Sequence, residues 1–335
     1  MEIFDKFTRP MRDLRLSVID ACNFRCLYCM PPEREYDFFK KDEKLSVNEA
    51  IRLSEIFIKL GVRRIRLTGG EPLLRQDLDQ IIAGVAKIPA LEDLSLTTNA
   101  SLLADKAQML KDSGVKRLTI SLDALDPKLF KTMSGNRSSV EQVIQGIDAA
   151  LDCGFQNTKL NCVIEKGLNE SQIIPLTEFA RERKLKLRFI EFMDVGNCNQ
   201  WNLEKVVPSD EVKSIIADKW PLTELEANFF GEVATSHQFE DGKGEVGFIS
   251  SVTKAFCKDC TRARISSDGK LYTCLFCARG TDLLSLMRQD HTDQEIANTI
   301  KDVWEKRTNR YSEERMDALQ SPRQHDIVEM FKMGG

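Results

Sequence analysis

Between residues 13 and 193, short apolar runs rich in β-branched residues alternate with longer stretches whose apolar positions recur at helical spacing. This alternation is typical of βα units built around a parallel sheet. It predicts six strands, at residues 14–19, 64–68, 93–97, 117–121, 158–163 and 187–192. Six units without a clear seventh or eighth predict an α/β fold, a partial (β/α)6 barrel open at one side, with a doubly wound open sheet as the alternative.

The helix after the first strand has clear predicted boundaries, because Ser46 and Glu49 form a capping-box pattern and Gly61 stands where the helical spacing ends. After Val195 the βα rhythm stops, so we predict a barrel over residues 1–195 and a C-terminal α+β extension over residues 196–335. This extension begins with a predicted helix at 209–219 that is N-capped by Ser209, continues with short strands within 241–276, and ends in a helical, charged tail.

Composition and charge narrow the classes of function. The 335 residues carry 48 basic and 52 acidic side chains, and this net charge of −4 argues against a general nucleic-acid binder. The charged N-terminal segment and the lack of an apolar run of about 18 residues argue against export and membrane spanning. We therefore expect a cytoplasmic protein with neither membrane nor nucleic-acid partners.

Cysteine is the unusual component of the chain, which has ten cysteines and only three histidines. Six of the cysteines form two tight groups. In a long chain without a secretion signal, such grouping indicates metal ligands before disulfides.

The first group, Cys22, Cys26 and Cys29, directly follows the first predicted strand, which places it at the carboxyl end of the sheet. Three thiolates can hold three corners of a [4Fe–4S] cluster and leave the fourth iron open. A structural zinc ion is the alternative, but it needs a fourth ligand, and no other Cys or His lies within about a hundred residues.

The Cys-x3-Cys-x2-Cys spacing, with Tyr28 before the last cysteine, resembles the radical S-adenosylmethionine (SAM) superfamily. The segment Thr68-Gly69-Gly70-Glu71-Pro72, at the end of the second predicted strand, resembles the SAM-binding segment of that superfamily. Glycines there let the backbone approach the amino and carboxylate groups of a ligand closely. The resemblance implies SAM as a cofactor, bound at the open iron of a [4Fe–4S] cluster.

The second cysteine group lies outside the predicted barrel. It consists of Cys257, Cys260 and Cys274. With Cys277 included, the spacing is close to that of a four-cysteine zinc site, and spacing alone favours zinc. Arg262 and Arg264 favour a phosphorylated substrate instead, because they lie on one side of a predicted strand and guanidinium groups pair bidentately with phosphate.

These features belong to a series of motifs that resembles the GTP 3',8-cyclase family of radical SAM enzymes over nearly the whole chain. The motifs are residues 9–17, 28–31, 66–73, 96–99, 121–124, 159–161 and 188–193, the arginine pair and the terminal Gly-Gly. The family catalyses the first step of molybdenum cofactor (molybdopterin) biosynthesis. The resemblance implies conversion of GTP to (8S)-3',8-cyclo-7,8-dihydroguanosine 5'-triphosphate, with a 5'-deoxyadenosyl radical removing the C3' hydrogen.

The resemblance also implies roles for individual residues. Contacts to SAM are implied for Tyr28, Gly70, Ser121 and Met193. Contacts to GTP are implied for Arg15, Arg66, Thr97, Lys159, Arg188, Arg262, Ala263 and Arg264. Two [4Fe–4S] clusters are implied, one on each group of three cysteines. Catalytic roles are implied for Arg262, Arg264, Gly334 and Gly335, the two glycines forming a flexible tail that reaches into the active site.

Two positions depart from the family pattern. Ala100 stands where Thr-Thr-Asn-Gly is usual, and Cys277 offers a possible fourth ligand that would close the second cluster. We expect Cys277 to stay unligated, because Cys274-Leu-Phe otherwise follows the family pattern.

The implied partners are GTP, a reducing electron donor such as flavodoxin or ferredoxin, and a downstream cyclic pyranopterin monophosphate synthase, with the chain a monomer or homodimer. One alternative is a radical SAM peptide maturase with an auxiliary cluster, but a peptide substrate does not explain the arginine pair. The other is a non-enzymatic four-cysteine zinc or iron–sulfur scaffold that binds RNA. A net charge of −4 and 7% aromatic residues do not favour that function.

Overall fold

The computed structural model describes residues 2–318 and 327–334. Its strands form one sheet in the order β12-β11-β10-β1-β2-β3-β4-β5-β6-β9-β8-β7. The strands are β1 Asp13–Ser17, β2 Arg64–Thr68, β3 Asp93–Thr98, β4 Arg117–Ser121, β5 Lys159–Ile164, β6 Lys186–Glu191, β7 Leu222–Glu224, β8 Thr235–Phe239, β9 Glu245–Ile249, β10 Arg262–Ile265, β11 Lys270–Tyr272 and β12 Thr281–Asp282.

The six predicted strands are confirmed, each within two residues of its predicted bounds. β1 to β6 are neighbours in chain order and all pair in parallel, so each crossover steps in the same direction. A doubly wound sheet reverses its strand order part-way, and this one does not. The sheet does not close, because β12 and β7 lie at its two edges. The fold is therefore the partial, open barrel that the sequence predicts.

Helices follow most of the parallel strands and pack on one face of the sheet, whereas the last helix, with Met330 and Phe331, lies on the other face. They are α1 Val47–Lys59, α2 Leu78–Ala86, α3 Leu103–Ser113, α4 Pro127–Met133, α5 Val140–Asp152, α6 Ile173–Glu182, α7 Ser209–Ala217, α8 Leu283–Arg288, α9 Asp293–Glu305, α10 Tyr311–Ala318 and α11 Met330–Met333. The predicted capping box at Ser46 and Glu49 is present at α1. Among the described residues, no helix is long and apolar enough to span a bilayer.

The alternation of side chains along each strand separates the core from the opposite face of the sheet. Leu14 and Leu16 of β1 are fully buried in the apolar core with Leu53 and Phe57 of α1. Arg15, between the two leucines, faces the other side of the sheet, because successive side chains of a strand point in opposite directions. The face opposite to α1 is thereby left mainly to polar and charged residues.

Residues beyond 195 extend this sheet at both edges. β10 pairs in parallel with β1, and β9 pairs in parallel with β6. β11 and β12 continue one edge and β8 and β7 the other, all antiparallel. The C-terminal region therefore shares one sheet with the barrel, and the boundary at residue 195 stays a prediction about folding units.

The predicted N-cap at Ser209 is wrong. The cap residue is Pro208, and Ser209 is the first helical residue of α7, which ends at Ala217. The backbone N–H of Ser209 donates to the buried carboxylate of Glu191, at 2.8 Å. A carboxylate from the end of β6 thus accepts from the first N–H of α7, and sequence spacing carries no sign of such a distant acceptor.

Candidate active site

A cavity of about 360 Å³ lies on the polar face of the sheet, lined by side chains from β1 to β6, β9 and β10. Both cysteine groups line it. The first group follows β1, at the carboxyl ends of the parallel strands, whereas Cys257 and Cys260 precede β10, which runs parallel to β1. The two groups therefore lie at opposite ends of one cavity.

The three thiols of the first group are mutual neighbours in a buried setting. Burial raises the pKa of Cys22 to about 12. The pKa of Cys26 is also raised, by burial first and then by Cys22 and Cys29. Thiolates packed this closely need a cation among them, and an iron–sulfur cluster supplies it while taking one thiolate per iron. The residues present fit such a cluster.

The segment of two glycines packs against the backbone that leads into Cys22. A Cβ on Gly70 would collide with the carbonyl oxygen of Ala21, and a Cβ on Gly69 with that of Ile19. The N–H of Gly70 donates to the carbonyl of Ile19 at 2.7 Å, and that of Glu71 to Ala21 at 2.9 Å. The structure thus gives these glycines a close approach to the chain's own backbone, while the approach to a ligand stays a prediction.

All four residues expected to contact SAM line the cavity: Tyr28, Gly70, Ser121 and Met193. Tyr28 is held in place by Asp123, whose carboxylate accepts from the phenol at 2.9 Å and from the N–H of Val163 at 2.8 Å. Burial raises the pKa of Asp123 to about 6. Asp123 was not predicted as a site residue, although it lies within the quoted motif at 121–124.

Glu71 and Asn99 form a second set of contacts that sequence reasoning missed. The buried carboxylate of Glu71 accepts from the Thr98 hydroxyl and the Asn99 N–H, both at 2.7 Å. The side chain of Asn99 donates to Asn23 at 2.9 Å and lies 3.9 Å from the sulfur of Cys22. The end of β3 is thereby tied to both the glycine segment and the cysteine loop.

Basic side chains from adjacent strands line the wall between the two cysteine groups. Arg264 of β10 is in register with Arg15 of β1, and Arg15 is in register with Arg66 of β2. On the next strands, Arg117, Lys159 and Arg188 line the same cavity. Of these, Arg117 was not predicted, and it pairs with Asp93 at 2.6 Å.

The electrostatics of this wall indicate an anionic ligand. Burial, followed by the repulsion of neighbouring guanidinium groups, lowers the pKa of Lys159 to about 7 and that of Arg66 to about 9. Within the described part of the chain, the buried oxygens Thr97 Oγ1 and Asn161 Oδ1 have no hydrogen-bond partner, and both residues line the cavity. Unpartnered polar atoms and crowded cations are both relieved by a polyanionic, hydroxyl-bearing molecule.

Ala263 differs from the other residues expected to contact GTP. Its side chain is fully buried in the apolar core, on the face opposite to Arg262 and Arg264. Ala263 is absent from the residues that line the cavity. Only its backbone is therefore available on the cavity side of β10.

The second cysteine loop is held by buried arginines. Arg9 donates to the carbonyl of Cys257 at 2.7 Å, Arg307 donates to that of Cys260 at 2.8 Å, and both arginines pair with Asp5. Arg262 lies 3.4 Å from the sulfur of Cys260. Burial acts to raise the pKa of this thiol, but Arg262 and Arg307 outweigh it, so the pKa falls to about 6.

That lowered pKa favours the thiolate that a metal centre needs. Cys277 neighbours Cys274 but, unlike Cys257, Cys260 and Cys274, it does not line the cavity. No three His, Cys, Asp or Glu side chains in residues 2–318 and 327–334 are grouped to hold a single metal ion. A cluster whose irons each take a separate thiolate has no such requirement.

The C-terminal segment enters the cavity region. The carbonyl of Gly334 accepts from the Arg264 guanidinium. Gly334 has a left-handed φ of +74°, and a Cβ there would collide with Thr68. Farther back, the Asn197 side chain donates to the carbonyl of Ile327 at 2.6 Å. The predicted approach of the tail thus has a structural counterpart at Gly334, whereas Gly335 lies outside the described residues.

Comparisons with known proteins agree with this arrangement. The family model "Radical SAM superfamily" matches residues 16–180, and the model "Molybdenum Cofactor Synthesis C" matches residues 185–313. A GTP 3',8-cyclase of Xanthomonas axonopodis pv. citri is 50% identical over 99% of this chain and 98% of its own. The chain belongs to the GTP 3',8-cyclase family. A GTP 3',8-cyclase of Staphylococcus aureus is 44% identical over 100% of this chain and 99% of its own.

Solved structures support the fold of this GTP 3',8-cyclase family member. Streptococcus suis SuiB bound to SAM matches with a TM-score of 0.60 over 95% of this chain and 68% of that one, at 16% identity. SuiB bound to its precursor peptide SuiA matches with a TM-score of 0.61 at 17% identity, over 89% of this chain and 66% of that one. Such identities establish a shared fold alone.

Membership in this family makes the chain a radical SAM enzyme of molybdenum cofactor biosynthesis and implies a [4Fe–4S] cluster with SAM. The peptide maturase and the RNA-binding scaffold are therefore set aside.

Proposed function

We propose that this enzyme converts GTP to (8S)-3',8-cyclo-7,8-dihydroguanosine 5'-triphosphate. The observation that carries the proposal is the single cavity with a three-cysteine group at each end and a wall of basic side chains between them. The first cysteine group suits the radical chemistry, the wall suits a triphosphate, and the second group suits the purine. This division of one cavity matches a nucleotide that must react at its ribose.

The first cysteine group and its neighbours bind and orient the cofactor. A [4Fe–4S] cluster with bound SAM supplies one-electron chemistry that removes a hydrogen atom from an unactivated sugar carbon. The cluster would be held by Cys22, Cys26 and Cys29, and SAM by Tyr28, Gly70, Ser121 and Met193. Asp123 fixes the Tyr28 phenol, and Asn99 lies beside the Cys22 sulfur. These residues position and shield the reacting atoms.

The basic wall holds the substrate and sets its distance from the cofactor. Arg15, Arg66, Lys159, Arg188 and Arg264 would pair with triphosphate oxygens, because their charges already crowd one another in a buried site. The unpartnered oxygen of Thr97 faces the same space. Holding a nucleotide by its phosphates while its base is fixed elsewhere leaves the ribose in one position, which is the requirement for selective hydrogen removal.

A second cluster at Cys257, Cys260 and Cys274 would fix the guanine base at the other end. Arg262 supports the thiolate of Cys260, so its contribution reaches the substrate through this cluster as well as by charge. Arg264 bonds to Gly334 and so joins the triphosphate wall to the tail. A tail held there closes one side of the substrate site.

The test of the function is anaerobic incubation of the reconstituted enzyme with SAM, a reductant and each ribonucleoside triphosphate in turn. We expect a cyclised nucleotide from GTP only, identified by mass spectrometry. Cyclised product from ATP and none from GTP would reject the proposed substrate while sparing the radical chemistry. Substitution of Cys22 by serine is the matched control and should remove all product.

Lys159 should make GTP binding depend on pH. A lysine whose pKa is lowered to about 7 is charged below pH 7 and loses its proton as the pH rises. Because a triphosphate binds the charged form better, the Kd for GTP should rise about tenfold between pH 7 and pH 8.5. Arg66, with its pKa lowered to about 9, stays largely charged over this interval. Anaerobic equilibrium dialysis measures the Kd.

The matched variant for this prediction is Lys159→Arg, which keeps the positive charge throughout the interval. Its Kd should change by less than about twofold between the two pH values. An equal pH dependence in the wild type and in this variant would show that another group is responsible.

Several further expectations belong to the same proposal. We place the enzyme in the cytoplasm, with flavodoxin or ferredoxin as electron donor and a cyclic pyranopterin monophosphate synthase acting on its product. A monomer and a homodimer both remain compatible with this function.

A further inference from the structure

Glu232 is an acidic residue in the basic wall of the cavity. It lies on the loop between β7 and β8, and Phe229, Gly231, Glu232 and Val233 of this loop all line the cavity. The side chain of Glu232 is only 4% exposed, and one carboxylate oxygen lies 3.3 Å from Arg188 Nη2. An anion of the protein itself thus sits among the cations that we assign to the triphosphate.

The ion pair between Glu232 and Arg188 cannot stay as it is once a phosphate group reaches Arg188. The Arg188 side chain is 13% exposed, and both Arg188 and Glu232 line the large cavity as well as a small pocket beside it. A phosphate that reaches Arg188 from the large cavity therefore comes close to the Glu232 carboxylate, and like charges repel strongly where water is excluded. The negative charge of Glu232 also acts on Lys159: it raises the pKa of the lysine, which burial and the neighbouring cations lower.

The loop that carries Glu232 is held by a few polar contacts and one cation–π contact. The second carboxylate oxygen accepts from the N–H and the side-chain amide of Asn228, at 2.8 and 3.0 Å. The ring of Phe229 lies 3.9 Å from the Arg64 guanidinium carbon. Phe230 is 50% exposed, so the loop tip itself is held by little apolar packing. Such a loop can move at modest cost in free energy.

Gly231 joins the loop to the other end of the cavity. Its φ is +82°, and a Cβ there would crowd the carbonyl of Asp259 and the side chain of Thr261, next to the second cysteine group. The loop therefore spans from the basic wall to the second cysteine loop.

We propose that Glu232 is an internal competitor for the triphosphate site: it pairs with Arg188 in the free enzyme and must be displaced by a phosphate group. This inference rests on the proposed function, in which the basic wall receives a triphosphate. Displacement costs the same for every anion that reaches Arg188. Inorganic phosphate, which makes few contacts, therefore binds weakly. A triphosphate makes contacts with several cationic side chains, and these offset the free energy needed to displace Glu232.

The experiment measures binding of GTP, inorganic tripolyphosphate and guanosine to the anaerobically reconstituted holoenzyme, in the wild type and in Glu232→Gln. The variant should bind GTP and tripolyphosphate about tenfold more tightly, because the internal anion is gone. Binding of guanosine, which has no phosphate, should change by less than about twofold. Inorganic phosphate should also become a stronger inhibitor of tripolyphosphate binding, by about the same tenfold factor.

The matched control is Glu245→Gln, which removes a carboxylate that also influences Arg188 but pairs with Lys186 and does not line the large cavity. Its affinities should stay within about twofold of the wild type. If both variants bound GTP and tripolyphosphate more tightly by the same factor, the proposal would be overturned, because the loss of any nearby negative charge would then explain the effect. Unchanged or weaker tripolyphosphate binding in Glu232→Gln would overturn it as well.

Thermal unfolding separates competition from a purely structural role. Without ligand, Glu232→Gln should have a lower Tm than the wild type, since an ion pair is lost, yet it should gain a larger Tm shift from tripolyphosphate. A structural role alone predicts a lower Tm with an unchanged or smaller shift, and either would reject the proposal. Glu232→Ala provides the same test with a different side chain. If the wild type binds tripolyphosphate but not GTP, GTP is rejected as the substrate. The comparison of tripolyphosphate binding in the wild type and in Glu232→Gln then still tests the role of Glu232.

Discussion

Replacing Arg262 and Arg264 together by alanine is expected to lower the rate of GTP cyclisation by orders of magnitude while reductive cleavage of SAM continues. Arg264 lies in register with Arg15 in the basic wall and bonds to Gly334, and Arg262 supports the Cys260 thiolate. A hydrogen bond to a charged group contributes about 1.5–3 kcal/mol, so loss of two lowers kcat/KM by about a hundredfold to ten-thousandfold.

The measurement for this variant follows two products in one anaerobic reaction, the cyclised nucleotide and 5'-deoxyadenosine. The matched control replaces Arg63 and Arg288, two partly exposed arginines outside the cavity, and should keep both products near the wild-type level. GTP turnover near the wild-type level in the cavity variant would refute the role of the arginine pair. Loss of both products would instead indicate damage to the first cysteine group.

The second large expected effect is on the iron content of the protein. The anaerobically reconstituted wild type should hold about eight irons, corresponding to two cubic clusters, and Cys274→Ser should hold about four. The three thiols at the second site line the cavity, and Arg9 and Arg307 donate hydrogen bonds to the carbonyls of Cys257 and Cys260. The backbone at Cys257 and Cys260 is therefore held in place before a cluster binds, and the thiolate of Cys260 is stabilised. Iron and sulfide analysis gives the count, and electron paramagnetic resonance distinguishes the two clusters.

Cys277→Ala is the decisive comparison for the second cluster. Because Cys277 does not line the cavity, this variant should keep about eight irons and its GTP turnover. A fall to about four irons would make Cys277 a ligand and close the open iron that the proposed function requires. Zinc at the second site of the wild type would reject the GTP function while leaving the radical chemistry in place.

Much of the site could be predicted because its motifs are local. Cys22 to Cys29 form one loop, and the glycine segment at 68–72 directly follows a strand, so residue types and spacing carry the information. The reason for the glycines was only partly predictable. Gly70 is required where it packs against the backbone of Ala21, and two segments separated by about fifty residues in sequence meet only in the fold.

Other contacts could not be predicted for the same physical reason. Glu191, which replaces the expected cap at Ser209, lies eighteen residues away in sequence. Arg117 shares a strand face with Ser121, but only the fold shows that the cavity extends along β4 as far as Arg117, and Asp123 lies beyond the end of that strand. Ala100 adopts a left-handed φ of 61°, which explains why glycine is usual there, and its full burial shows that the methyl is accommodated.

By itself, the sequence determined the periodicity that makes six parallel strands and the two groups of thiols that make metal chemistry the leading hypothesis. Both are properties of short segments, whose hydrogen bonding and side-chain alternation depend on near neighbours. Only the tertiary structure decided that the two cysteine groups share one cavity and that Glu232 lies among its cations. These outcomes depend on strand register and on which distant loops meet, and such contacts arise when the whole sheet buries its apolar face.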